Sequence, residues 1–276
     1  MFSNLPEVTY NDQVIKFLVE GDYMDTYASV EVMPNVSSSD TLQKAVKDRN
    51  DLVEEKFRVT IEEFRTSSSG EMLSTLRQSA TAGVNEYDIV MPYIPNAATL
   101  SQEGYLHDLR KLENIHLDMP YYDQGSVKDL SICGKNYFVT GDLTLLAADV
   151  THVLLFNKDV VVDYNLESPY DMVRNNTWTL ENMIKNAKLV EESVDGEYDP
   201  MTNKMGFMGL HTAQRTWIAA LDLDLVDRNA DTGELTVPKG PSDKLITLFD
   251  SFYDLFEDEN EFYVHSNSSE LHQTFM

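Results

Sequence analysis

Six histidines, 47 carboxylates and one cysteine are the side chains of this 276-residue chain with the most obvious reactive potential. The histidines, at 107, 116, 152, 211, 265 and 272, form no i, i+4 pair of the kind that places two imidazoles on one helical face. They read as surface or core-edge residues, not as metal ligands. No GxSxG, HExxH or GxxxxGK[ST] occurs, and no GxGxxG follows the first apolar strand, so the usual nucleophile, zinc and phosphate motifs are missing. Cys133 alone excludes an internal disulfide and any CxxC pair. Paired acids of the glycosidase type cannot be picked out by spacing. Residues 195–199 (DGEYD) lack the alternating acids and bidentate glutamate of a calcium loop and read as a solvated turn. Neither a cofactor nor a metal site is expected.

A binding chemistry finds better material. Ligands of open parallel α/β sheets lie at the carboxyl ends of the strands, where loops and helix starts present unpaired amides. Here those ends are 21–23, 65–68 and 93–96. Tyr93 follows Pro92 at a strand end, where its ring either projects into a cleft or packs on the next helix. Further on, Gln214, Arg215 and Trp217 bring two hydrogen-bonding side chains and an indole together, although Trp217 reads equally as core. Trp178, ahead of a capping threonine, reads as structural.

The elements that must position these groups follow from periodicity. Val14–Val19 is a short apolar strand, and Asp40 with Gln43 opens a helix whose inner face is Leu42, Ala45, Val46, Val53 and Phe57. Phe57–Phe64 returns as a strand. Ser68 with Glu71 opens a second helix with Leu73, Leu76 and Ala80 inward, stopping at Gly83. Tyr87–Tyr93 is the third strand. This β-α-β-α-β order predicts three parallel neighbours in one sheet. A short helix from Ala97 to Glu103, strands at Tyr137–Thr140 and His152–Phe156, and a passage between lobes near Gly141–Thr151 are expected next. Thr179 opens a helix with Leu180, Met183, Ile184 and Ala187 inward. Residues 206–220 carry a strand and a helix, 221–237 a hairpin around Asp231 to Gly233, and Pro241 starts a helix striped by Leu245, Leu248, Phe249, Phe252 and Phe256.

Composition bounds the function. A hydrophobic share of 42% with 10% aromatics describes a globular chain. The formal net charge of −26 repels phosphate backbones and argues against nucleic acid as a partner. The first residues (MFSNLPEVTYND) have neither the basic start nor the apolar stretch of an export signal, which reads as a cytoplasmic protein or as a chain whose true start lies upstream.

Several segments, in order, carry a resemblance. They are Lys47 to Asn50 with Val53 to Phe57, then Tyr87 to Met91, then Leu100 with Tyr105-Leu106 and Asp108-Leu109. Gly134-Lys135 with Tyr137, Gly141-Asp142, Leu155 to Asp159 and Trp178 to Glu181 complete the series. In this the chain resembles the family 1 extracellular solute-binding proteins, receptors of carbohydrate ABC importers, a group that includes maltose-binding protein. The resemblance implies a two-lobed α/β periplasmic-binding-protein-like fold, each lobe a mainly parallel sheet flanked by helices, closing on its ligand by hinge motion. The first lobe would occupy residues 1–149 and the second, incomplete, 150–276, with the chain truncated at both ends. It also implies an extracytoplasmic location, periplasmic or as a cell-surface lipoprotein, with any membrane association through a lipid anchor missing here. By position, its ligand contacts would fall on Tyr93 and Asn96, on Asp142 and Asp149, and on His211, Gln214, Arg215 and Trp217. The expected partners are a mono- or oligosaccharide and the permease subunits of the importer, and no enzymatic activity. The rival readings are a carbohydrate-active enzyme and a surface adhesion or sensory receptor on the same fold.

Overall fold

The structure, a computed structural model, describes residues 7–21, 30–35, 39–190, 206–210, 214–257 and 262–265. The chain divides into two compact units, Met1–Thr151 with Asn229–Glu234, and His152–Arg228 with Leu235–Met276.

In the first unit, β1 (Gln13–Val19) leads to α1 (Thr41–Phe57), β2 (Val59–Arg65), α2 (Ser69–Thr81), β3 (Ile89–Met91) and α3 (Ile94–Gln102). The three strands form one parallel sheet in the order β2-β1-β3, with Gln13 opposite Val59 and Phe17 opposite Ile89. The expected β-α-β-α-β arrangement is present. Leu18 and Val19 of the central strand are buried, as are Val46 on α1, Met72 on α2, and Ala97 and Leu100 on α3.

The local signals that open the helices act as expected. The Asp40 carboxylate accepts from the N–H groups of Leu42 and Gln43. Ser68 Oγ accepts from Glu71 N–H at 3.3 Å, and Glu71 Oε2 reaches back to Ser67 N–H at 2.6 Å. Buried faces differ in detail. Leu42, Ala45 and Ala80 are exposed, whereas Asn50, Met72 and Ser79 are buried. Each true face is a helical row turned toward its neighbour: Val46, Asn50, Val53 and Phe57 on α1 keep the i, i+4, i+7, i+11 spacing. Phe57 ends α1 instead of starting β2, because Arg58 takes a left-handed conformation (φ 51°) and closes the helix. The helix after β3 begins at Ile94, ahead of the expected Ala97, with Pro95 in its first turn.

Two short helices follow, α4 (Gln124–Asp129) and α5 (Leu146–Asp149). Residues 137–140 and 152–156 do not form the expected strands. An extended apolar run becomes a strand only where a partner fills its ladder. The first stretch borders a single bridge, Tyr122 to Gly141, and the second has no ladder among the described residues.

The second unit carries α6 (Lys158–Asp163), α7 (Pro169–Arg174), α8 (Leu180–Lys188), β4 (Phe207–Leu210) and α9 (Gln214–Ala220). A hairpin of β5 (Asp227–Arg228) and β6 (Leu235–Thr236), α10 (Asp243–Glu257) and β7 (Phe262–His265) complete it. The hairpin sits where the turn signal at 231–233 predicts it, and β4 pairs parallel with β7. Thr179 Oγ1 caps α8 by accepting from Asn182 N–H, with Met183 and Ala187 buried. The core is Leu248 and Phe252 with Leu180, Ile184, Phe207, Trp217 and Leu245 against them. Phe249 leaves the expected stripe and is 61% exposed.

Candidate functional site

The carboxyl edge of the first sheet is built by one acid. Glu20, directly after β1, donates its N–H to the Met91 carbonyl at 3.1 Å, which places its side chain beside the end of β3. Its Oε2 accepts from the Tyr93 N–H at 2.8 Å and from Asn96 Nδ2 at 3.0 Å. One carboxylate oxygen therefore orients the strand end and the first turn of α3 together. Asn96 is buried, while Tyr93 is 47% exposed. The arrangement sets a partly exposed tyrosine on a backbone held from behind.

The neighbouring strand end is tied equally closely. Thr66 donates its N–H to the Val19 carbonyl at 3.0 Å, and Gly21 N–H reaches Thr66 Oγ1 at 3.2 Å. A side chain at Gly21 would put its Cβ 1.8 Å from the Thr66 carbonyl oxygen, so only glycine fits that approach. The Ser67 hydroxyl and amide both donate to Glu71, and these bonds hold the Glu71 carboxyl below its ordinary range.

The expected contact residues are thus only partly gathered. Tyr93 and Asn96 share Glu20. Asp142 stands exposed on a separate loop, its N–H donated to the Tyr121 carbonyl at 2.9 Å, where Gly141 passes too close to Tyr121 to carry a side chain. Asp149 ends α5, and Gln214 and Arg215 open α9. Their side chains lie outside the described ones, as do His211 and the 195–199 loop entirely. Trp217 packs in the core of the second unit, with ring centroids 6.0 Å from Phe207 and 5.4 Å from Phe252. Trp178 donates its N–H to Met172 at 3.2 Å and is half-buried. Glu20 went unread in the sequence. The available signal was an acid terminating an apolar strand immediately before a glycine.

Two open concavities, of about 510 and 360 Å³, lie elsewhere on the first unit: one around Lys16, Gln78 and Asn85, the other around Tyr10, Val53 and Phe57. Neither contains an expected contact residue. No group of three or more potential metal-ligating side chains occurs among the described residues, and none of the described helices is long and apolar enough to cross a membrane.

With this geometry in hand, the family model of bacterial extracellular solute-binding proteins matches residues 44–275. The chain belongs to that family. As a bacterial extracellular solute-binding protein, it shares its fold with a sugar transporter from Rhizobium etli solved in an open conformation, at 18% identity and a TM-score of 0.52, covering 90% of this chain and 52% of that one. A Listeria monocytogenes ABC substrate-binding protein in complex with cycloalternan aligns at 12% identity and a TM-score of 0.41, over 91% of this chain and 55% of that one. An N-glycan transport solute-binding protein from Streptococcus pneumoniae aligns at 16% and 0.40, over 91% and 49%. The solute-binding chain spans about half the length of these structures. Curated protein sequences give no match.

Proposed function

We propose that this solute-binding protein takes a mono- or oligosaccharide at the strand-end edge around Tyr93 and hands it to the membrane subunits of an ABC importer, outside the cytoplasm and without turning it over. The observation that carries the reading is the pairing of a half-exposed Tyr93 with a backbone fixed by Glu20 and Asn96. Sugars are bound by such a combination, an aromatic face for their C–H surface and rigid polar groups for their hydroxyls. The family supports a solute receptor, and the sugar transporter of the same fold supports a sugar as the ligand.

Each net hydrogen bond contributes about 0.5–1.5 kcal/mol. A micromolar complex, about −8 kcal/mol, therefore needs several, and Asp142, Asp149, His211, Gln214 and Arg215 are the further donors and acceptors proposed for it. A second lobe closing over the sugar would favour the closed form through contacts that exist only there. Titration calorimetry against glucose, maltose, maltotriose and cellobiose tests the reading. We expect at least one sugar to bind and Tyr93→Ala to weaken it by about three- to tenfold, in line with the 0.5–1.5 kcal/mol of an aromatic contact. Silence toward every sugar, with a response to peptides or polyamines, would remove the carbohydrate and leave the receptor.

A further inference from the structure

Glu31 is a carboxylate-bearing residue that the strand-end edge does not use, yet it is only 2% exposed. A buried carboxylate is costly unless it is paired and hydrogen-bonded. The nearby Arg49 charge and a backbone N–H donated to its Oε1 offset that cost, and its backbone is held as well. Arg49 on α1 donates to the Glu31 carbonyl and to Asn50 Oδ1, and Asn50 Nδ2 donates to the Val32 carbonyl at 2.7 Å. Glu63 on β2 accepts from the Met33 N–H at 3.1 Å. Burial pulls the Arg49 guanidinium below its ordinary value, and the Glu31 charge acts against that. The short stretch from Glu31 to Met33 is therefore clamped from the helix side and the strand side.

From that clamp the Glu31 side chain reaches across 115 positions of sequence to accept from the Leu146 N–H at 3.0 Å. Leu146 is the first residue of α5, whose four residues end at Asp149. The first unit continues only to Thr151 before the chain enters the second. A four-residue helix has little cohesion of its own. Its place on the first unit must come from outside it.

We infer that Glu31 is a positioning residue that pins the exit segment Leu146–Thr151, with Asp149 on it, to the body of the first unit. Its contribution to ligand binding rests on the sugar-receptor reading; the pinning itself does not. The force path runs from α1 through Arg49 and Asn50 to the Glu31 backbone, then through the carboxylate to α5. Asp149 is held in place by a residue far from it in sequence.

Amide hydrogen exchange on the full chain, without sugar, tests the pinning. In Glu31→Ala the Leu146 amide is expected to exchange at least about tenfold faster, as loss of a bond to a charged acceptor requires, while the amides of Leu18 and Met72 keep their rates. Glu31→Gln retains an acceptor oxygen and should restore most of the Leu146 protection. Unchanged exchange at Leu146 in Glu31→Ala, or a uniform rise across the first unit, overturns the inference. Should Glu31→Ala fail to fold, Glu31→Gln decides alone: Leu146 must remain within about threefold of the parent, since the acceptor persists. In calorimetry with the same four sugars, Glu31→Ala is expected to weaken binding by about tenfold and Glu31→Gln to recover it. A sugar bound equally well by Glu31→Ala, with Leu146 loosened, refutes the role in binding. Silence of the parent toward all four sugars refutes the sugar reading, and the exchange result still decides the pinning.

Discussion

The first unit holds its loops by side chains that reach backbone groups, and the second holds its helices by aromatic contact. In the first, Glu20, Asn50, Glu63 and Thr66 each bond to a backbone group on another element or loop. In the second, Phe207, Trp217 and Phe252 pack tilted rings against one another beside Leu248. The consequence for function is that an aromatic residue near polar neighbours means different things in the two places. Trp217 is consumed by cohesion, whereas Tyr93, at a strand end organised by an acid, remains 47% exposed.

Both tryptophans, 178 and 217, lie in the second unit, so indole emission reports that unit and amide exchange can report the first. Phe252→Ala should have the largest effect, about 3–5 kcal/mol, seen as an earlier urea transition in indole emission with the Leu18 and Val46 amides unmoved. A joint shift of both probes would break the comparison. Gly21→Ala and Gly206→Ala form a matched pair, since each Cβ would meet a carbonyl oxygen at 1.8 Å, that of Thr66 or that of Ala187. We expect about 1–3 kcal/mol or more from each, as overpacking costs. Gly21→Ala should be seen by amide exchange in the first unit, and Gly206→Ala by indole emission in the second.

The smallest effect concerns acid. Hydrogen bonds from the Ser67 hydroxyl and amide depress the Glu71 carboxyl, and a hydrogen bond from the Arg77 side chain depresses that of Glu103. A depressed carboxyl stabilises fully above its unfolded value, about 4.3, and that stability is lost as pH falls through the lower folded value. Lowering the pH from 5 toward 2 should therefore lower the protection of the amides in the first turn of α2, measured against their intrinsic exchange rate at each pH, and Glu71→Gln should flatten that dependence.

Much of the first unit was legible because its signals are local. Asp40 and Ser68 cap their helices through backbone groups two or three residues away, as Thr179 does in the second unit, and no distant partner is needed to read them. The face a helix buries is not local. Asn50 replaces Ala45 inside because a loop offers its side chain a carbonyl, and Phe249 turns outward because the core cluster closes on Leu248 and Phe252. The runs at 137–140 and 152–156 have strand composition without the ladder that makes a strand. At the candidate site, strand-end logic pointed to Tyr93, and the family resemblance to Asn96. Glu20 was not readable, because its meaning comes from partners 73 and 76 positions away.

The order β2-β1-β3 also sets a timetable for synthesis. Of these three strands, the one made earliest lies between the other two. As the chain emerges, β1 has no neighbour until residues 59–65 appear, and its other edge stays bare until residues 89–91 follow. Non-local pairing of this kind is slow, because loop closure must precede the bonds that reward it. During that interval an apolar strand with both edges open is the segment most prone to pair with the wrong chain. Its single lysine, Lys16, is the one charge set within it against such pairing.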